Sequence, residues 1–336
     1  MSDHEIFEAG DVPLQCGITL RAAKLAYKTH GKLNADKSNA IIFPTRFGGR
    51  HSDNEYLIGE DKALDPRKYF IVVPNLFGNG VSSSPSNTPI PLNAGSFPGV
   101  TIYDNVLVQR RLMQEAFGVD RLALALGWSM GALQSYQWAT LWPDKVERLF
   151  ALCGSARCAP HNYVFLDGCR IALVTDAAFR NGFYKEPPAA GLRALGRVWA
   201  ASGLSQTFYR RHMYREMGFA TVEDFLVNWW EWLFQLRDAN NILALIWTWQ
   251  HGDLSDNPVY KGDFEKALGA ITARSIVMPC NSDMYFPPED NEYEVSRMKN
   301  AELRVIDSVW GHYAGGGRDV PSLKLIDRTI GELLAS

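Results

Sequence analysis

Residues 121–139 read RLALALGWSMGALQSYQWA. The run Leu122 to Leu126 is short and continuously apolar, as expected of a strand buried on both faces. Gly127-Trp128-Ser129-Met130-Gly131 follows, and Ala132 to Ala139 continues with helical character. Strand, G-x-S-x-G and helix in that order are the signature of a nucleophile elbow, a sharp turn that exposes one serine hydroxyl at the carboxyl end of a sheet. The spacing has a steric cause. The serine sits in a strained conformation, so the residues two before and two after it must be small for strand and helix to approach. A helix opening just past Ser129 aims its free N–H groups at any oxyanion formed there, and the Met130 N–H is the expected first donor.

Working outward, the preceding segments supply a sheet. Ile6 to Gly31 reads as two leading antiparallel strands, Ala40 to Phe43 (AIIF) and Tyr69 to Pro74 (YFIVVP) as buried strands, and Val146 to Leu152 as another. Thr101-Ile-Tyr-Asp104 is a capping box. It opens a helix to about Phe117, with Ile102, Val106, Leu112 and Ala116 expected to face a core. Strands alternating with helices predict a parallel sheet wound by crossovers. From about Ala159 to Tyr260 no buried strand is legible, and six of the ten tryptophans fall there. This stretch is expected to form a helical cap, its aromatics either lining an apolar pocket or packing cap helices together. The sheet then resumes with Ala273 to Met278, a helix around Glu289 to Met298, a strand Leu303 to Ile306 and a last helix Val320 to Leu334. The organisation is therefore core (1–158), cap (159–260) and core (261–336).

In such a sheet the loops after the strands carry the chemistry. Pro279 to Pro288 contains Asp283, and Ser308 to Gly317 contains His312. The order Ser129, Asp283, His312 is that of an α/β-hydrolase triad, with His312 as base and Asp283 fixing its tautomer. Asp290 and Asp307 compete with Asp283, and His51, His161, His212 and His251 with His312. A second oxyanion donor is expected from the loop after AIIF, at the backbone of Arg46 or Phe47, with Gly48 and Gly49 permitting the turn.

Bulk composition narrows the alternatives. A formal net charge of −3 in 336 residues, with no basic run, argues against nucleic acid or an anionic membrane as partner. The N-terminal residues show no signal-peptide pattern and no stretch reaches transmembrane length. Five scattered cysteines without C-x-x-C lead to the expectation of reduced thiols in a cytoplasmic protein, and Cys153 with Cys158 lacks partners at zinc spacing, so no metal is expected. Gly78-Asn-Gly80-Val-Ser-Ser83 resembles part of a dinucleotide loop but lacks the third glycine, so no cofactor is expected.

YKTHGKLNADKSNAII, TIYDNVLVQRRLMQEAFGVDRLAL, GWSMGALQSYQWA, GLRALGRV, RDANN, NSDMYFPP and GHYAGGG together resemble the homoserine O-acetyltransferase family of α/β-hydrolases, from about Leu20 to His312. The resemblance implies a triad of Ser129, Asp283 and His312, an acyl-serine intermediate, and a helical lid that mediates a homodimer. It also exposes departures. The transferases place an aspartate after the catalytic histidine to bind the homoserine amine, where this chain has Tyr313. Their H-A-L-T-G becomes Pro44-Thr45-Arg46-Phe47-Gly48, and Trp128 and Ala132 replace two elbow glycines. Without the carboxylate, a cationic amine loses its acceptor. The expectation is therefore a serine esterase of small, acetyl esters, with Trp128 and Tyr313 near the substrate. The alternative is an O-acyltransferase that uses acetyl-CoA.

Overall fold

The computed structural model describes residues 3–336. Eight strands form one sheet in the order β1-β2-β4-β3-β5-β6-β7-β8. The leading pair, β1 (Glu5–Pro13) and β2 (Thr19–His30), is antiparallel, and β2 runs antiparallel to β4 (Phe70–Pro74). From β4 onward all pairing is parallel, through β3 (Ala40–Ile42), β5 (Leu124–Trp128), β6 (Arg148–Leu152), β7 (Arg274–Met278) and β8 (Ala301–Leu303).

The central strands are apolar throughout because both faces are covered. Ile42, Val72, Ala125 and Leu149 face one core with α1 (Ile102–Arg111) and α2 (Met130–Leu141). Ile41, Ile71, Leu124 and Phe150 face the other, where Ile326, Ile330 and Leu333 of the C-terminal helix pack. Strand β3 leads to β4 on one side of the sheet, whereas β5 lies on its other side and leads away to β6. The chain reverses its winding between β3 and β5, and ligands bind outside the carboxyl ends of strands at such a point. The loop after β3 and the turn after β5 meet there.

Between β6 and β7 the described chain is helical. α3 (Pro160–Val174) and α4 (Ala189–Gly203) pack together, followed by α5 (Gln206–Arg210) and α6 (Val222–Phe225). A π-type turn, Leu226–Glu231, runs into α7 (Trp232–Gln235), then α8 (Ala239–Gln250) and α9 (Phe264–Ala270). The chain closes with α10 (Pro288–Arg297) and α11 (Val320–Leu334).

Three expectations need correction. The elbow strand is β5, Leu124–Trp128, because Leu122 makes only a single bridge to Val146. The last strand is Ala301–Leu303, and the Leu303–Ile306 stretch keeps only a bridge from Ile306 to Cys280. Ala116 is exposed rather than in the core. The Thr101 capping box opens α1 as expected, with Asp104 and Thr101 bonded reciprocally, but Leu112–Ala116 forms a π turn. The wider turn shifts the helical register and rotates Ala116 outward.

Glu294 of α10 is buried at the joint with α2, accepting from Tyr136 Oη (2.9 Å), Asn291 Nδ2 (2.9 Å) and the Ala156 N–H (2.6 Å). Burial outweighs these bonds and raises its carboxyl from 4.5 to about 7. Because the folded state holds the proton more tightly, this contribution to stability is complete below the unfolded value of 4.5 and is lost as pH rises through about 7. The shift corresponds to a loss on the order of 3 kcal/mol. Urea midpoints at pH 5 and pH 8 should show wild type falling relative to Glu294→Gln over this interval; parallel midpoints would contradict it.

Candidate active site

Ser129 occupies the turn between β5 and α2 with φ 60° and ψ −128°. A non-glycine residue in that region costs of order 1–3 kcal/mol and persists only where its surroundings over-determine it. Here they do. The Ser129 N–H donates to Leu152 O (3.0 Å), and its carbonyl accepts from Ala132 N (2.8 Å). A Cβ on Gly127 would lie 2.1 Å from the Gly131 carbonyl carbon, and one on Gly131 would lie 2.6 Å from Pro44 O. The two motif glycines are thus required by direct backbone contact. Gly154, just past β6, is required for the same reason, since its Cβ would sit 2.8 Å from Ser129 O. The sequence reading did not single it out, because the partner is distant in the chain.

Asp283 and His312 come from the two loops beyond β7 and β8. Those loops are tied side by side by the Cys280–Ile306 bridge, by Ser282 Oγ donating to Ser308 O (2.5 Å) and by Gly311 N donating to Ser282 Oγ (3.2 Å). The cap also holds the histidine loop, through Ser205 Oγ donating to Val309 O (2.5 Å). Asp283 Oδ2 lies 2.8 Å from His312 Nδ1, while Oδ1 accepts from the Tyr285 (2.8 Å) and Phe286 (3.2 Å) N–H groups. A carboxylate only accepts, so Nδ1 carries the proton and Nε2 is left as a base. The imidazole is stacked on Trp128, with centroids 5.3 Å apart, and edge-on to Tyr285 at 5.0 Å. Ser129 and His312 line one cavity. The Ser129 hydroxyl has no hydrogen-bond partner among the described residues, and such contacts commonly tighten only when substrate binds.

The competing residues are occupied elsewhere. Asp307 accepts from Asn281 Nδ2, and Asp290 lies in the first turn of α10. His161 is exposed, His212 bonds Tyr214 Oη, and His251 stacks on Trp247. His51 contacts Asn75 and Asp3. The Gly78–Ser83 loop is spent on local turns, with Asn79 Oδ1 accepting from Val81 and Ser82, and no helix follows it directly.

At the head of α2, the Met130 N–H has no acceptor among the described residues, and neither have the Arg46 and Phe47 N–H groups of the loop after β3. The Arg46 side chain lines the cavity that holds Ser129 and His312, its guanidinium lying over Trp128 at 5.0 Å and pairing with Asp53 at 3.4 Å. The cavity holding Ser129 and His312 measures about 40 Å³ and is walled by Phe47, Trp199, Trp249 and Tyr285. Trp128 and Tyr313 also line it. Tyr313 packs edge-on against Trp128 (6.2 Å) and Trp230 (5.8 Å). The cap tryptophans therefore divide: Trp199 and Trp249 face the cavity, while Trp230 packs the cap interior. A larger recess of about 560 Å³ adjoins through Phe47, Leu233 and Arg237 and is lined by Asn79, Asn241 and Asp238. Arg237 donates to Gly48 O (2.5 Å), and burial, then the nearby Arg46 charge, lowers its guanidinium to about 10, so it stays cationic at neutral pH.

The alpha/beta hydrolase fold family matches residues 40–315. The chain belongs to this family. It is 40% identical over 335 residues to an ethyl acetate hydrolase of Pseudomonas veronii, covering 99% of this chain and 95% of that one. It is 38% identical to the solved structure of an acetylester hydrolase from Corynebacterium glutamicum, with a TM-score of 0.96 over 99% of this chain and 96% of that one. A homoserine O-acetyltransferase of Chlorobium chlorochromatii is more distant, at 29% identity over 94% of this chain and 92% of its own. The expected relationship to the transferases therefore holds, on the esterase side of the family, and the enzyme is a carboxylic ester hydrolase.

Asp283→Asn would present an amide to His312 Nδ1 and favour the wrong tautomer. Turnover of a short ester should fall by roughly 10³–10⁴-fold while the thermal midpoint stays close to wild type. A loss under tenfold would mean that Asp283 does not orient the base.

Proposed function

We propose that the enzyme hydrolyses small acetyl esters through an acyl-serine on Ser129. Ser129 Oγ attacks the ester carbonyl as His312 Nε2 takes its proton, and Asp283 stabilises the imidazolium. The oxyanion is received by the Met130 N–H and an N–H of Arg46 or Phe47. His312 returns the proton to the leaving alkoxide, then activates the water that releases acetate. The observation that carries the substrate class is the cavity beside Ser129 and His312. Its volume of about 40 Å³, walled mostly by aromatic rings, suits a compact acyl group. The ethyl acetate and acetylester hydrolases similar to this chain over its full length support the same reading.

Acetyl transfer from acetyl-CoA to homoserine is the alternative suggested by the more distant relatives. Among the described residues no carboxylate lines the inner cavity, and Tyr313 presents an aromatic ring to it, so an ammonium group finds no carboxylate acceptor there. Chain 159–260 serves in this reading as the cap that shapes the acyl cavity, through Trp199 and Trp249. The exposed apolar side chains of that segment, including Val164, Ile171, Trp232 and Leu236, support a homodimer formed through the cap. Five free cysteines support a cytoplasmic location, and no helix among the described residues is long and apolar enough to cross a membrane.

The test compares p-nitrophenyl acetate with the octanoate ester, and acetyl-CoA plus homoserine. Acetate turnover should exceed octanoate by at least roughly tenfold, with no O-acetylhomoserine formed. Ser129→Ala should lose all but background hydrolysis. Equal turnover of both esters, or an active Ser129→Ala, would overturn the proposal. Trp232→Glu should shift the light-scattering mass from two chains towards one, and an unchanged mass would remove Trp232 from the interface.

A further inference from the structure

A line of buried amides beneath the elbow has no part in the triad. Gln134, one turn into α2, uses both hydrogens of its Nε2. One goes to Thr45 O (2.9 Å) in the loop after β3, and the other to Met130 O (3.0 Å) at the head of its own helix. Its Oε1 accepts from Gln109 Nε2 of α1 (2.6 Å), and Gln109 Oε1 accepts from Trp138 Nε1 (2.9 Å). Thr45, Gln109, Gln134 and Trp138 are each wholly buried.

The direction of this line is fixed by chemistry. An indole N–H only donates, so Gln109 must turn its oxygen towards Trp138 and its nitrogen towards Gln134. Gln134 must then accept on Oε1, which leaves its nitrogen to face the two carbonyls. Neither amide can flip without leaving a buried donor facing a donor, at the cost of an unsatisfied polar group.

The two carbonyls that Gln134 bridges belong to the two backbone segments that carry the candidate oxyanion donors. Met130 supplies one N–H. Thr45 O shares its peptide plane with the Arg46 N–H, and in a trans peptide the two point in opposite directions. Holding Thr45 O against α2 therefore fixes the direction of the Arg46 N–H and of the turn that presents Phe47. The close approach of Gly131 to Pro44 O, where a Cβ would lie at 2.6 Å, sets the same two segments in contact. No other side chain among the described residues bonds Thr45 O and Met130 O together.

From this geometry we infer that Gln134 is a positioning residue for the oxyanion hole, locked in orientation by Gln109 and Trp138. It never touches substrate. It sets the separation and aim of two N–H groups that must both lie within hydrogen-bond reach of the tetrahedral oxyanion. This rests on the acyl-serine reading above and adds a residue to it.

The experiment measures Gln134→Met, which keeps volume and removes the donors, and Gln109→Met, which leaves the direct contact but frees Gln134 to flip. Rates with p-nitrophenyl acetate are expressed per active site, counted by end-point labelling with a fluorophosphonate. Misfolded protein then drops out of the comparison. Gln134→Met should lose roughly ten- to hundredfold in kcat with KM within about twofold, because the bonds it aligns form only in the transition state. Inhibition by a small alkylboronic acid, a mimic of the tetrahedral oxyanion, should weaken by a similar factor. Gln109→Met should show the same pattern at a smaller size, and it carries the test if Gln134→Met does not fold. Unchanged kcat per labelled site in the folded variants would overturn the role, as would a kcat loss with unaltered boronate inhibition. An active Ser129→Ala would instead defeat the acyl-serine reading itself, so the two failures are separable.

Discussion

The backbone of Ser129, held at φ 60° and ψ −128°, is the constraint on which the rest of the site depends. A left-handed serine is tolerable only if strand and helix close tightly on either side of it. That closeness excludes side chains at Gly127, Gly131 and Gly154, whose Cβ atoms would lie within 3 Å of neighbouring heavy atoms. It also brings α2 against Pro44 and Thr45, so the loop after β3 becomes part of the same rigid block. Ser129 is thereby set by backbone packing, and the candidate oxyanion donors by that packing together with the buried Gln134 side chain. Preorganised N–H groups of this kind need no rearrangement as charge develops.

Much of this was legible in the sequence because its causes are local. Gly127-x-Ser129-x-Gly131 declares its turn through residue size alone, and Asp283 and His312 declare themselves by following apolar strand runs with turn-rich loops. The leading antiparallel pair, the capping box at Thr101 and the C-terminal helix were equally local. What escaped the sequence depends on contacts between distant segments. Gly154 is small because Ser129 O lies against it, and Ser205 matters because it holds Val309 O. Ala116 looked like a core residue on a regular helical period, and only the π turn at Leu112–Ala116 removes it. Leu303 to Ile306 has strand composition, but β8 pairs with β7 over Ala301–Leu303 and then departs towards the His312 loop. The tryptophans of the cap could not be divided between pocket and packing without the fold, and in it they serve both.

The helices between β6 and β7 meet the loops of the sheet at the cavity beside Ser129 and His312. Trp199 and Trp249 close the space above Ser129, and Arg237 reaches from the cap to Gly48 O beside the oxyanion loop. The narrow chamber beside Ser129, walled by aromatic rings with Arg46 and Arg237, adjoins a wider polar recess. Tyr313, beside His312, lines this space with a ring that packs on Trp128 and Trp230.

The most direct test of the central claim is to trap the intermediate. Enzyme mixed with p-nitrophenyl acetate, quenched in acid on the millisecond scale and digested, should give one acetyl group per chain on the peptide carrying Ser129. The adduct should form and decay at rates compatible with turnover. Turnover without any adduct on Ser129, or an acetyl group that accumulates on another residue at the turnover rate, would contradict the account.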